Sequence, residues 1–228
     1  STDAPPQVYE NAPPPPPPPA YGPGRRVPRR YARWASLYIT GDFGAAGLSG
    51  DSADDLGFDE GGGGAWAGIF YRPSAFISGG LVFGGHAFAP KSEYESAGVG
   101  DLGQIFTGLE VRGHLPLMGY TWRPWSLEVW GGLSGGFAYS MVENEVLGQT
   151  VENTFQGGFI GASAGVDLYL TRWLSIGALV RVVKPFWNKA CVDDECMDKD
   201  EIEDTGGEMP DDVVIYGGFS ATLHLYIL

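Results

Sequence analysis

Residues 104–115 read QIFTGLEVRGHL, and the order of residues in that stretch decides the fold class. Ile105, Leu109, Val111 and Leu115 fall on one face of an extended chain, and Gln104, Glu110, Arg112 and His114 on the other. Successive side chains of a strand point to opposite faces, so a period of two marks a β-strand lying between two different surroundings. Working outward, the same period recurs in seven further segments: 34–43, about 64–72, 76–88, 125–137, about 154–170, 173–187 and about 213–228. In 34–43, Leu37 and Ile39 oppose Ser36, Tyr38, Thr40 and Asp42. In 125–137, Leu127, Val129 and Leu133 oppose Ser126, Glu128 and Ser134. Ile160, Ala162, Ala164 and Val166 stand against Ser163 and Asp167, and Leu174, Ile176, Val180 and Val182 against Ser175 and Arg181. The last segment sets Ile215, Phe219, Leu223 and Leu225 against Tyr216, Ser220, Thr222 and His224. Each segment is near or above the roughly 9–11 residues that a tilted membrane-spanning strand needs.

The surroundings of the two faces follow from their charge. A soluble sandwich turns its charged face to water. Here the more polar face carries mostly single charges diluted by glycine and serine, which suits a narrow interior. Eight strands close into a barrel whose interior side chains nearly fill, and closure removes the exposed edges of so glycine-rich a sheet. The connections support the same fold. Of the 28 acidic residues, 22 lie in four long connections, 45–64, 89–103, 138–152 and 188–212, beside only Lys91, Lys189 and Lys199. The short connections between them hold Arg72, Arg123 and Arg172 and no carboxylate. An up-and-down chain with long loops at one end and short turns at the other gives this pattern, as in a small outer-membrane barrel. Trp34, Trp122, Trp125, Trp173 and Tyr71 fall beside the short turns, and Tyr94, Tyr139 and Trp187 near the long connections, as interfacial girdles would. Trp66 and Trp130 fall mid-strand.

A net charge of −14 disfavours nucleic acid as a partner, since phosphate would be repelled. Only 18% of residues are charged, while glycines number 36 and aromatics 30. No apolar run approaches the roughly 20 residues of a spanning helix, so a bilayer would be crossed by strands. The start Ser1-Thr2-Asp3-Ala4 lacks both an initiator Met and a signal peptide, as expected of a processed secretory product. Residues 1–33 read as a disordered leader set apart from the barrel at 34–228. Pro13 to Pro19 form an unbroken polyproline run of roughly 20 Å, and Arg25, Arg26, Arg29, Arg30 and Arg33 follow it without an acid. Such a tether could touch peptidoglycan or another envelope partner. Cys191 and Cys196, the only cysteines, are expected to form a disulfide pinning the longest acidic connection.

The segment 171–183, TRWLSIGALVRVV, enters a hairpin; 131–139, GGLSGGFAY, leads into a long loop; and a strand closes the chain. In these features residues 34–228 resemble the eight-stranded outer-membrane barrels of Gram-negative bacteria, the OmpA/OmpX-like and OmpW-like group. The chain ends Tyr226-Ile227-Leu228, where that group prefers a terminal Phe or Trp. The resemblance implies an integral outer-membrane protein in contact with the bilayer and lipopolysaccharide, with both termini periplasmic and the acidic loops outside. It implies a structural or interaction role, with a narrow pore or transporter for small, apolar solutes as the alternative. It also admits lipid A deacylation or acyl transfer, which needs a Ser/His pair near the lipid-facing rim. Here no serine lies two residues from any histidine, so no enzyme is expected.

Two sets of residues are candidates for a site. Glu110, Arg112, His114, Glu128, Asp167, Arg181 and His224 would face the lumen, where a buried charge must be paired. With the hairpin centred on Tyr120, Arg112 would lie opposite Glu128. Such a network would either fill space or gate a lumen, and the space-filling reading is preferred. In the second set, Asp193, Asp194, Asp198 and Asp200 could hold Ca²⁺ weakly through oxygen ligands. That run lacks the D-x-D-x-D-G order of a dedicated calcium loop. His86, His114 and His224 have no metal-ligand spacing, and no cofactor is implied.

Overall fold

The computed structural model describes residues 36–50, 57–95, 98–117, 125–146, 149–192, 195–204 and 209–226. The leader and the terminal Ile227-Leu228 lie outside them. Among the described residues nine strands run β1 Ser36–Ser49, β2 Phe58–Arg72, β3 Ile77–Pro90, β4 Val99–Pro116, β5 Ser126–Val146, β6 Gln149–Tyr169, β7 Leu174–Val192, β8 Glu195–Asp198 and β9 Val213–Tyr226. The same residues include two short helices, α1 Ser92–Glu95 and α2 Lys199–Asp204, in the connections. All pairings are antiparallel; β1 to β7 each pair with their chain neighbours, and β9 pairs with both β7 and β1, closing the sheet into an eight-stranded barrel. The short β8 lies outside that ring and pairs with the end of β7.

The register fixes the tilt. From Gly177 the paired residues run through Ser220, Asp42, Trp66, Gly84, Phe106, Ala138 and Gly157, and return to β7 at Trp187. One circuit thus climbs ten residues of the same strand. Ten residues are about 33 Å, against about 38 Å of perimeter for eight strands, so the strands tilt by about 40°.

Alternation sorts the two faces. On β4, Gln104, Phe106, Glu110, Arg112 and His114 are buried while Ile105, Leu109, Val111 and Leu115 are exposed. The exposed set continues around the wall through Phe43, Ile69, Leu81, Phe83, Leu133, Ile160 and Phe219. An outer surface this apolar is unsuited to water and matches a lipid-facing band. At the short-turn end Tyr71, Trp125 and Trp173 are exposed in the girdle position, whereas Trp34 and Trp122 lie outside the described residues. Trp187 departs from the expected girdle. It is 5% exposed and points inward, because its place on β7 shares the inward phase of Val183 and Cys191.

Two expectations about the connections change. The span 138–152 is mostly ladder, since β5 and β6 stay paired out to Val146↔Gln149. Likewise β1 reaches Ser49 and β7 reaches Val192. Cys191 and Cys196 form a disulfide between paired residues of β7 and β8.

Candidate functional site

Two clusters hold most of the charged side chains described in the lumen, with the buried Asp42 and Asp167 outside both ion-pair sets. At mid-height, β4 supplies Glu110 and Arg112 two residues apart on the same face, and β7 supplies Arg181 from across the barrel. Arg112 Nε donates to Glu110 Oε1 at 2.7 Å and Arg181 Nη1 to Oε2 at 2.9 Å, while Ser163 Oγ donates to Oε1 at 2.9 Å. Both guanidiniums stack on rings. Arg112 lies 4.0 Å over Phe70 and 4.1 Å over Trp130, and Arg181 lies 4.1 Å over Trp66. One carboxylate with three donors lies between two ring-stacked cations, so the buried charges are paired, while Arg181 Nε has no hydrogen-bond partner among the described residues. Glu110 is 1% exposed.

The second cluster sits at the short-turn end around Glu128. The expected Arg112–Glu128 pair does not form, because the ladder runs Arg112↔Gly132 and Pro116↔Glu128. The hairpin is therefore centred two residues later than Tyr120. An even slip leaves every side chain on its own face, so alternation alone cannot detect it. Glu128 instead meets Arg72, whose Nη1 and Nη2 donate to its two oxygens at 2.9 and 2.8 Å. The same guanidinium donates to the carbonyls of Ser74 and Ala75, tying the β2–β3 turn to the lumen. Standing just before Pro73, Arg72 has the sequence context of a turn residue. Its phase, two beyond Phe70 and six beyond Trp66, is the signal that places it inside.

Glu128 also carries a relay. His114 Nδ1 lies 2.8 Å from Glu128 Oε1, His114 Nε2 lies 2.8 Å from Ser78 Oγ, and Ser78 Oγ lies 2.8 Å from the Tyr38 hydroxyl. A carboxylate only accepts, so in the neutral ring Nδ1–H donates to it and Nε2 takes the serine proton. This is the order of nucleophile, base and orienting acid in a hydrolase. The serine and histidine, 36 residues apart, meet across β3 and β4, a pairing that short spacing cannot reveal. Ser78 is 1% exposed, however, and its oxygen already serves Tyr38.

The remaining candidates lie apart from these clusters. Asp167 is the register partner of Glu128 but joins neither ion-pair cluster. His224 Nε2 lies 3.0 Å from Ser175 Oγ and its ring meets Tyr169 at a tilt, while His86 accepts from Trp66 Nε1 at 3.1 Å. Of the calcium candidates, Asp193 and Asp194 lie outside the described residues. Asp198 faces Lys189 at 3.7 Å, and Asp200 is exposed on α2. Among the described residues no three His, Cys, Asp or Glu side chains gather as a metal site. The charge pattern also gave no sign of how aromatic the lumen is. Phe106 stacks on Trp66 and meets Phe159 edge-on, and Tyr38 stacks on Phe70.

An up-and-down barrel of eight tilted strands, apolar outside and filled with paired charges inside, is the architecture of the small outer-membrane β-barrels of Gram-negative bacteria. Among solved structures the chain is similar to a major outer membrane protein from Thermus thermophilus, with a TM-score of 0.56 and 12% identity over 84% of this chain and 99% of that one. Lower TM-scores relate it to Ail, the attachment invasion locus protein of Yersinia pestis (0.48, 12% identity, 84% and 99% covered), and to Neisserial surface protein A (0.47, 13%, 84% and 97%). At such identities the likeness is one of fold. No protein-family model matches the sequence, and neither does any curated protein.

Proposed function

We propose that this chain is an integral outer-membrane barrel that acts as a structural or interaction component and carries no solute through its lumen. The burial of the Glu110–Arg112–Arg181 cluster carries this reading. Each of the three residues is no more than 4% exposed, and both guanidiniums lie over aromatic rings, so the cluster is packed into the lumen instead of lining an open path. The Ser78–His114–Glu128 relay belongs to the same packing, and no enzyme activity is assigned to it. In this reading the short turns and both termini face the periplasm. The acidic connections face outward toward lipopolysaccharide, and residues 1–33 meet peptidoglycan or another envelope partner through their arginines. The test is single-channel recording of the full chain in planar bilayers. The expected record shows no discrete steps. Regular steps that change size in an Arg112→Ala variant would replace this reading with that of a narrow pore or transporter for small solutes.

A further inference from the structure

Above the aromatic layer of Trp66, Phe106 and Phe159, toward the end that bears the long connections, the lumen opens into a cavity of about 230 Å³. Its described lining is mostly apolar. Phe58, Phe155 and Trp187 supply rings, the last two with centroids 6.1 Å apart, and Leu102, Val142 and Pro185 add aliphatic surface. A dry apolar cavity of about 150 Å³ is enough to take up benzene, so this one has room for a ring and a short tail. Gln104 borders the same space at 6% exposure, and its amide oxygen has no hydrogen-bond partner among the described residues. A buried acceptor in that state is costly, and a guest with an O–H or N–H group would relieve it. Asp212 also borders the cavity, but it is engaged with a partner of its own, and the neighbouring Asp211 pairs with Lys184. The orphaned group is a neutral amide, so what it selects is a hydrogen-bond donor and not a charge.

We propose that this cavity binds one small, uncharged aromatic molecule that carries a hydrogen-bond donor. The ring packs against Phe155 and Trp187, where offset and edge-on contacts add to the area it buries. The donor meets the Gln104 amide, which turns about its terminal bond to present its oxygen. A guest of the same size that only accepts would leave that oxygen unpaired. Trp66, Phe106 and Phe159 pack against one another across the lumen below, so the guest is held and not passed on. The proposal does not depend on which side of a membrane the cavity faces.

The test uses the full chain folded into lipid nanodiscs, free of detergent that could fill the cavity. It is titrated with two isomers of one formula, 2-phenylethanol and benzyl methyl ether, and calorimetry against empty nanodiscs removes partition into the lipid. The alcohol is expected to bind about tenfold more tightly than the ether, the worth of one buried acceptor satisfied. Gln104→Met keeps the length of the side chain, removes the amide, and should bring the two affinities together by weakening the alcohol. Ala190→Trp places a large ring in the cavity and should abolish binding of both. Each variant is first shown to keep the heat-modifiable mobility of a closed barrel. Should either fail that check, NMR of the unaltered chain takes its place: the alcohol should shift the Gln104 side-chain amide and the Trp187 indole resonances. Equal affinity for the isomers, no binding of the alcohol, a preference that persists in Gln104→Met, binding that survives Ala190→Trp, or bound alcohol that leaves both resonances unmoved would each overturn the proposal.

Discussion

Glu110 is paired with two arginines at once, and that makes it the most consequential side chain of this cluster. Removing one member of a buried ion pair typically costs about 3–5 kcal/mol, because the partner is left charged and dry. Glu110→Ala strands both Arg112 and Arg181 and should reach or exceed the top of that range. Replacing the three together by Leu, Met and Met removes charge and partner alike, and such swaps are often neutral or stabilising by about 1–4 kcal/mol. Urea unfolding of the refolded barrel, followed by its electrophoretic mobility, measures both. A triple variant as unstable as Glu110→Ala would show that the charges do more than fill the lumen. At this scale the sequence disclosed faces but not partners. The phase of Glu110, Arg112, Glu128 and Arg181 put each of them inside, yet which carboxylate meets which guanidinium depends on register. Slips of two or four residues preserve every face. Arg72 is hidden for another reason: the Pro73 beside it outweighs its phase.

Among the elements, β8 stands outside the ring that gives the barrel its stability. β8 has four residues and pairs only with β7 among the described strands. So short a hairpin is marginal alone, and the Cys191–Cys196 bond closes a loop small enough to contribute only about 2 kcal/mol by chain entropy. That contribution stays local. Reduction should leave the unfolding midpoint of the barrel unchanged while amide exchange across 195–198 rises several-fold. Hydrogen exchange with and without reductant checks this, and a matching fall in the global midpoint would mean that β8 supports the closed ladder. Strand extension past the wall also explains why 138–152 has the sequence character of a loop. Beyond the bilayer neither face of a strand need be apolar, so Glu143, Asn144, Glu145 and Glu152 stay in the ladder without alternation. The pair Gly108↔Gly136 shows another element-scale demand: a Cβ on either would strike the partner strand's backbone.

For the whole molecule, period two in eight segments gave the strand number and the two faces, while closure and tilt depend on offsets summed over every hairpin. The tilt makes the outer wall measurable. From Ile105 to Leu115 the exposed face of β4 climbs ten residues, about 25 Å along the axis at about 40° of tilt, the height of the apolar band of outer-membrane barrels. Leu109 and Val111 sit at mid-height, and Leu133, 72% exposed, is the register partner of Val111. Leu115, by contrast, lies at the short-turn edge near the girdle of Tyr71, Trp125 and Trp173. If the wall meets lipid, the cost of an arginine must depend on depth. Leu133→Arg should cost about 2–4 kcal/mol and Leu115→Arg about 0–1, measured by reversible urea unfolding in phospholipid vesicles. Leu133→Ala serves as the control for lost apolar contact. Were the two arginine variants equally stable, the face would be touching water or protein instead of hydrocarbon, and the assignment to a membrane would fall with it.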